Sequence, residues 1–185
     1  QRICSHLLFK ILGWTVNVDY PLYNKCIICV APHTSNWDFL IGELFIRSKG
    51  LHSNFLMKKE WFFWPLSLLL KAMGGIPVYR SKKGKMTDSL ADAAMAAEEF
   101  RLAITPEGTR SRVTTWKRGF YFIAEKAKLP ILLFALDYEQ KKIICTKNLI
   151  PSGDVEKDMQ EIMDYYRHFK GKHPEKFSIE EGERA

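Results

Sequence analysis

The chain has 185 residues, 46% of them hydrophobic and 13% aromatic, with a formal net charge of +7 and an isoelectric point near 9.2. That length and composition suit one domain with a substantial core. The basic balance favours anionic partners (nucleic acid, an acidic membrane, phosphorylated substrates or acidic carrier proteins) without choosing among them. The longest apolar run, Trp61 to Leu70, is interrupted by Pro65 and Ser67 and is too short to span a bilayer. There is no secretory cleavage pattern.

Residues 1–12 carry Ile3, Leu7, Leu8, Ile11 and Leu12 at helical spacing with Arg2 and Lys10 among them, which predicts a short amphipathic helix. It either packs on the domain or anchors it at an interface. Trp14 to Val18 alternates and reads as a strand; Asp19 to Asn24, containing Pro21, reads as a turn. Lys25 to Val30 is a continuous apolar strand that delivers the chain to a polar loop holding His33. Within it Cys26 and Cys29 form a C-x-x-C, but no second pair stands at zinc spacing, so both read as small buried hydrophobes and no metal site is expected.

The periodicity of Phe39 to Arg47 predicts a helix ending near Gly50, and Asn54 to Met57 a strand. The run from Trp61 to Leu70 is too apolar for one helical stripe. It is either buried all round or faces something greasy, and Lys58, Lys59 and Lys71 around it fit an anionic interface. Gly74 and Gly75 break the pattern before a short strand, Ile76 to Tyr79, which ends at Arg80. A basic loop, Ser81 to Lys85, leads into a helix from Thr87 to about Phe100. A strand, Leu102 to Thr105, then runs into the polar loop Pro106 to Arg112. Arg118 to Lys128 reads as a helix, and Ile131 to Leu136 and Lys142 to Thr146 as strands. Pro151 to Asp154 caps a last helix reaching about Phe169. Residues 171–185 are charged and read as a flexible tail, leaving residues 1–170 as a single domain.

Strands alternate with helices, so the fold class is α/β, with a largely parallel mixed sheet flanked by helices. Ligands of such sheets bind beyond the carboxyl ends of the strands. The loops holding His33, Arg80 and Glu107 to Arg112 all follow predicted strands, so parallel strands bring them to one edge. Asp38 falls in the first turn of its helix, where the side chain leans back towards His33. A carboxylate there fixes the imidazole tautomer and leaves the other nitrogen as a base. The pair alone is weak evidence, because an acidic residue near a helix start also suits the helix dipole. Arginines beside a glycine-containing turn suit a phosphate. No serine or cysteine sits in a nucleophile elbow.

With these residues in hand, the sequence resembles the glycerolipid acyltransferase family, the lysophosphatidate and glycerol-phosphate acyltransferases. His33 to Asp38 matches its H-x4-D block, and Gly75-Ile76-Pro77-Val78-Tyr79-Arg80 resembles its second. Pro106-Glu107-Gly108-Thr109-Arg110-Ser111 matches its third, and Leu129-Pro130-Ile131-Leu132 resembles its fourth. The likeness spans about residues 25 to 137. It implies a glycerol-3-phosphate acyltransferase-like fold and an O-acyltransferase of phospholipid biosynthesis. His33 is then the general base on an acceptor hydroxyl and Asp38 its orienter, with Arg80, Glu107, Gly108, Thr109 and Arg110 tied to acceptor binding. Backbone amides near Gly108 are expected to hold the oxyanion. Arg112, Lys117 and Arg118 are either further phosphate or carrier contacts or a solvated face. The acyl donor is acyl-CoA or acyl carrier protein as co-substrate, with no other cofactor. The acceptor is a lyso-lipid or a glycerol phosphate. The expected setting is the cytoplasm, peripherally on the inner face of an anionic membrane.

Departures from the family pattern bear on the acceptor. Pro32 precedes His33 where the lysophosphatidate enzymes carry Asn, Thr34-Ser35 replaces their Arg/Gln-Ser, and the third block opens with Thr105 rather than Phe. An ester or thioester hydrolase, or an idle lipid- or carrier-binding module on the same fold, are the alternatives. Nucleic acid is not an expected partner, because the aromatic residues cluster instead of interleaving with basic ones.

Overall fold

The computed structural model describes residues 11–79 and 83–179. Its centre is a sheet in the order β1-β7-β6-β2-β5-β3-β4, with β8 paired to β6. The strands are β1 (Thr15–Val18), β2 (Lys25–Ala31), β3 (Asn54–Lys58), β4 (Gly75–Val78), β5 (Phe100–Ile104), β6 (Ile131–Asp137), β7 (Lys142–Cys145) and β8 (Asn148–Leu149). The helices are α1 (Asn36–Ser48), α2 (Leu66–Ala72), α3 (Lys83–Ala96), α4 (Gly119–Ala127) and α5 (Val155–Tyr166). The five strands β6, β2, β5, β3 and β4 are mutually parallel, so their carboxyl ends share one edge. Strands β7 and β8 run antiparallel to β6.

The two central strands are covered on both faces, which is why β2 and β6 read as continuous apolar runs rather than alternating ones. Ile27, Cys29, Ile131, Leu133 and Ala135 face one layer with Phe120, Tyr121 and Ile123 of α4 and Ile162 and Tyr166 of α5. Cys26, Ile28, Leu132, Phe134 and Leu136 face the other, with Ile41, Phe45 and Ile46 of α1. Cys26 and Cys29 therefore point to opposite sides of the sheet and form no pair. Burial pushes their thiols up to about 11 and about 12, which removes thiolate reactivity.

Several expectations are corrected. The apolar run from Trp61 to Leu70 is not one helix. A single 3-10 turn covers Lys59–Trp61, and α2 starts only at Leu66, after the cis Trp64–Pro65 bond. Nor is the run buried all round, since Trp61, Phe63, Trp64, Leu68 and Leu69 are exposed while Leu70 is buried. Helix α3 starts at Lys83 and ends at Ala96, because Phe100 already belongs to β5. Residues 171–179 are not loose. The rings of Phe177 and Trp116 lie 6.1 Å apart, Phe177 and Ile179 pack on the larger core cluster, and Gly171 and Ser178 are buried. Most of the expected helix over residues 1–12, together with Arg80, Ser81 and Lys82, lies outside the described residues.

Candidate active site

The loop after β2 is built around the start of α1. Ser35 is the N-cap, its hydroxyl oxygen accepting from the Trp37 amide, and Asp38 stands at N3 as its reciprocal partner in a capping box. Asp38 Oδ2 accepts the amides of Thr34 and Ser35, both at 2.8 Å. A carboxylate turned back in this way lies under the two residues before the cap, Thr34 and His33. His33 Nδ1 is 3.1 Å from the same oxygen. The His-x4-Asp spacing thus follows from a helix cap: the group that satisfies the first-turn amides also faces the imidazole.

Asp38 is almost fully buried, whereas the His33 side chain keeps 19% of its exposure. Nδ1 is buried and too far off the Asp38 line for a straight hydrogen bond in the resting state, a common condition before substrate binds. Nε2 has no partner among the described residues and stays open, as a base needs to be. A third donor fixes the other carboxylate oxygen: the Tyr138 hydroxyl donates to Asp38 Oδ1 at 2.6 Å. Burial and the Asp38 charge push the Tyr138 phenol far above its ordinary range, so it stays a donor. Sequence reasoning missed Tyr138; nothing but its place just past β6 marked it.

Glu107 follows β5, the neighbour of β2, and reaches the same loop. Its Oε1 accepts the His33 amide at 2.7 Å, and the residue is 2% exposed. The carboxyl is buried behind the histidine and holds its backbone. Burial first, and the nearby Asp38 charge, push Glu107 up to about 8, opposed by the His33 amide. At neutral pH it is mostly protonated and adds little negative charge to the site.

The rest of the third block forms a turn. The Gly108 amide donates to Thr105 O at 3.0 Å and closes the turn. Gly108 has φ +64°, and Lys117 lies across it, Nζ donating to Gly108 O at 3.3 Å. Thr109 Oγ1 accepts the Ser111 amide. Arg110 is exposed on the tip of the turn, and Arg112 is exposed beyond it. Arg118 forms a two-armed ion pair with Glu156 at the start of α5. Arg80 lies outside the described residues. Among the described residues no cluster of His, Cys, Asp and Glu can hold a metal ion.

The site therefore offers an imidazole nitrogen open to solvent, a buried carboxylate behind it, and an exposed arginine on an adjacent turn. That set can take a proton from a hydroxyl next to an anionic group.

The fold is shared with a solved enzyme. The crystal structure of the 1-acyl-sn-glycerophosphate (LPA) acyltransferase PlsC from Thermotoga maritima superposes with a TM-score of 0.58 at 19% sequence identity, covering 90% of this chain and 75% of that one. No curated protein matches the sequence at a significant level. The profile of the family described as Acyltransferase matches residues 15–136, a span that contains His33, Asp38 and the whole Glu107 turn. On that match, this chain belongs to the Acyltransferase family.

Proposed function

We propose that the protein is a glycerolipid O-acyltransferase that moves a fatty acyl group from a thioester to a hydroxyl of a glycerol phosphate or lyso-lipid. The observation that carries the reading is the His33–Asp38 arrangement. One ring nitrogen is backed by a buried, fully hydrogen-bonded carboxylate and the other is open. In the reaction His33 Nε2 takes the hydroxyl proton while the oxygen attacks the thioester carbon. The C–O bond forms, the C–S bond breaks, and the proton passes to the departing thiolate sulfur. Thiols are acidic enough to leave with little help. Arg110, with no partner among the described residues, is the candidate contact for the acceptor phosphate, with Arg112 and Lys117 beside it.

The donor is acyl-CoA or acyl carrier protein, both anionic and suited to a +7 chain. The setting is peripheral, on the inner, cytoplasmic face of a membrane. Among the described residues no helix is long and apolar enough to cross one. The exposed side chains of Trp61, Phe63, Trp64, Leu68 and Leu69, with Trp64 81% exposed, follow β3 at the carboxyl edge of the sheet that also carries His33. Tryptophan favours the lipid–water boundary, and exposed Lys58, Lys59 and Lys71 supply charge for anionic headgroups.

A panel assay tests the reading. Purified protein and vesicles meet palmitoyl-CoA or palmitoyl carrier protein with glycerol 3-phosphate, lysophosphatidate or uncharged lyso-acceptors. A new ester with one of the phosphate acceptors, reduced mainly through KM by Arg110→Ala, supports it. Release of free acid alone makes the protein a hydrolase, and no turnover makes it a binding module.

A further inference from the structure

Tyr138 lies beyond the span matched by the family profile, yet it makes one of the closest contacts of the site. The register explains how it arrives there. Ala31 of β2 pairs with Ala135 of β6, so the residues just past each strand emerge side by side. His33 is two positions beyond Ala31 and Tyr138 three beyond Ala135. The tyrosine is then fixed by independent contacts. Its amide donates to Lys170 O at 2.9 Å. Its ring meets Trp14 edge-on with centroids 5.0 Å apart. The residue before it, Asp137, is buried and accepts the amides of Glu139 and Gln140, which sets the turn that aims the ring.

The two oxygens of Asp38 have different partners. Oδ2 receives the Thr34 and Ser35 amides and faces His33 Nδ1; Oδ1 receives the Tyr138 hydroxyl. The amides fix Oδ2 but leave the carboxylate plane free to tilt about it. A hydrogen bond to the far oxygen removes that freedom. The segment after α5 supports the same loop from outside. The His173 amide donates to Thr34 Oγ1 at 3.1 Å. Gly171 sits so close to Thr34 that a Cβ there would meet Oγ1 at 2.8 Å and Pro32 Cβ at 3.0 Å. Lys172 Nζ lies 5.0 Å over the Trp37 ring.

We propose that Tyr138 is a positioning residue for acyl transfer: through its hydroxyl it holds the Asp38 carboxylate close to His33 Nδ1, where its charge favours the proton on that nitrogen and leaves Nε2 as the base, although the two are not aligned as a straight hydrogen bond before substrate binds. The proposal rests on the acyl-transfer reading for its kinetic consequence, but its structural consequence is measurable without turnover.

The test is Tyr138→Phe, which keeps the ring against Trp14 and removes only the hydroxyl. Tyr165→Phe is the control, because that hydroxyl meets Thr146, away from the site. In wild type and both variants the imidazole tautomer is read from the ring 15N shifts of His33, alongside thermal unfolding and steady-state kinetics. The expected result for Tyr138→Phe is a smaller Nδ1–H fraction and a kcat lower by about tenfold to thirtyfold, the size of one charge-assisted hydrogen bond, with KM within about twofold. Tyr165→Phe is expected to leave tautomer and kcat as in wild type. An unchanged tautomer in Tyr138→Phe overturns the proposal, as does a loss of kcat matched by the unfolded fraction. If wild type transfers no acyl group at all, the acyl-transfer reading fails while the tautomer measurement still decides the role of Tyr138.

Discussion

Replacing Glu107 by glutamine isolates the cost of ionising a buried carboxyl. In the native state the group titrates at about 8, against an ordinary 4.5, so the folded protein holds its proton more tightly than the unfolded chain. The contribution is neutral below pH 4.5, where both states are protonated. It turns against folding as pH rises, because the unfolded state ionises freely and the native state does not. At about 1.36 kcal/mol per pH unit over that interval, the native state has lost about 3 kcal/mol by pH 7 and about 5 by pH 8. Above that it loses no more. Glutamine still accepts the His33 amide through its Oε1 and carries no titration. Urea unfolding of both proteins at pH 5, 7 and 8.5 reads the difference. The variant should match wild type closely at pH 5 and exceed it by about 3 kcal/mol at pH 7. A difference that stays constant across the three pH values, or that favours wild type as pH rises, would refute the reasoning.

Three further outcomes follow from particular contacts. Gly108→Ala places a side chain at φ +64° and brings its Cβ to 2.6 Å from Lys117 Cε. The lysine can move, so the backbone strain dominates and thermal or urea unfolding should show a loss of about 1–2 kcal/mol. Asp158→Ala strips the acceptor from the Tyr121 hydroxyl and from the Ser152 amide and hydroxyl, and should cost about 2 kcal/mol in urea unfolding, since the buried Tyr121 hydroxyl is left without an acceptor. Trp64→Ser with Leu68→Ser should leave unfolding unchanged, because both side chains are exposed, but should abolish flotation with anionic vesicles; undiminished flotation counts against the membrane setting.

The parallel sheet edge was legible because apolar runs and polar loops alternate, and the structure does bring the loops of His33 and Glu107 side by side. Asp38 was legible for a local reason: a first-turn side chain leans back towards the preceding loop, and the capping box seen in the structure holds it there. Glu107 was legible in place, but its hydrogen bond to the His33 amide was not. Its motif marks it as important, but only the β2–β5 pairing reveals that it lies behind His33, bonded to the backbone. Tyr138 was invisible because its partner is a hundred residues away and depends on strand register. The run from Trp61 to Leu70 was ambiguous for a related reason: composition tells that it is greasy, whereas the Pro65 break and the late start of α2 decide that it faces outward. The segment after α5 looked loose because its charge is high, yet Gly171 and Phe177 are enough to dock it.

The most direct test of the account is product analysis by mass spectrometry, comparing wild type with His33→Ala on a palmitoyl thioester and lysophosphatidate in vesicles. Wild type should yield a new acyl ester and the variant should lose several orders of magnitude, with free acid in neither above background. An ester formed equally well without His33, or a wild type that yields only free acid, would contradict the account.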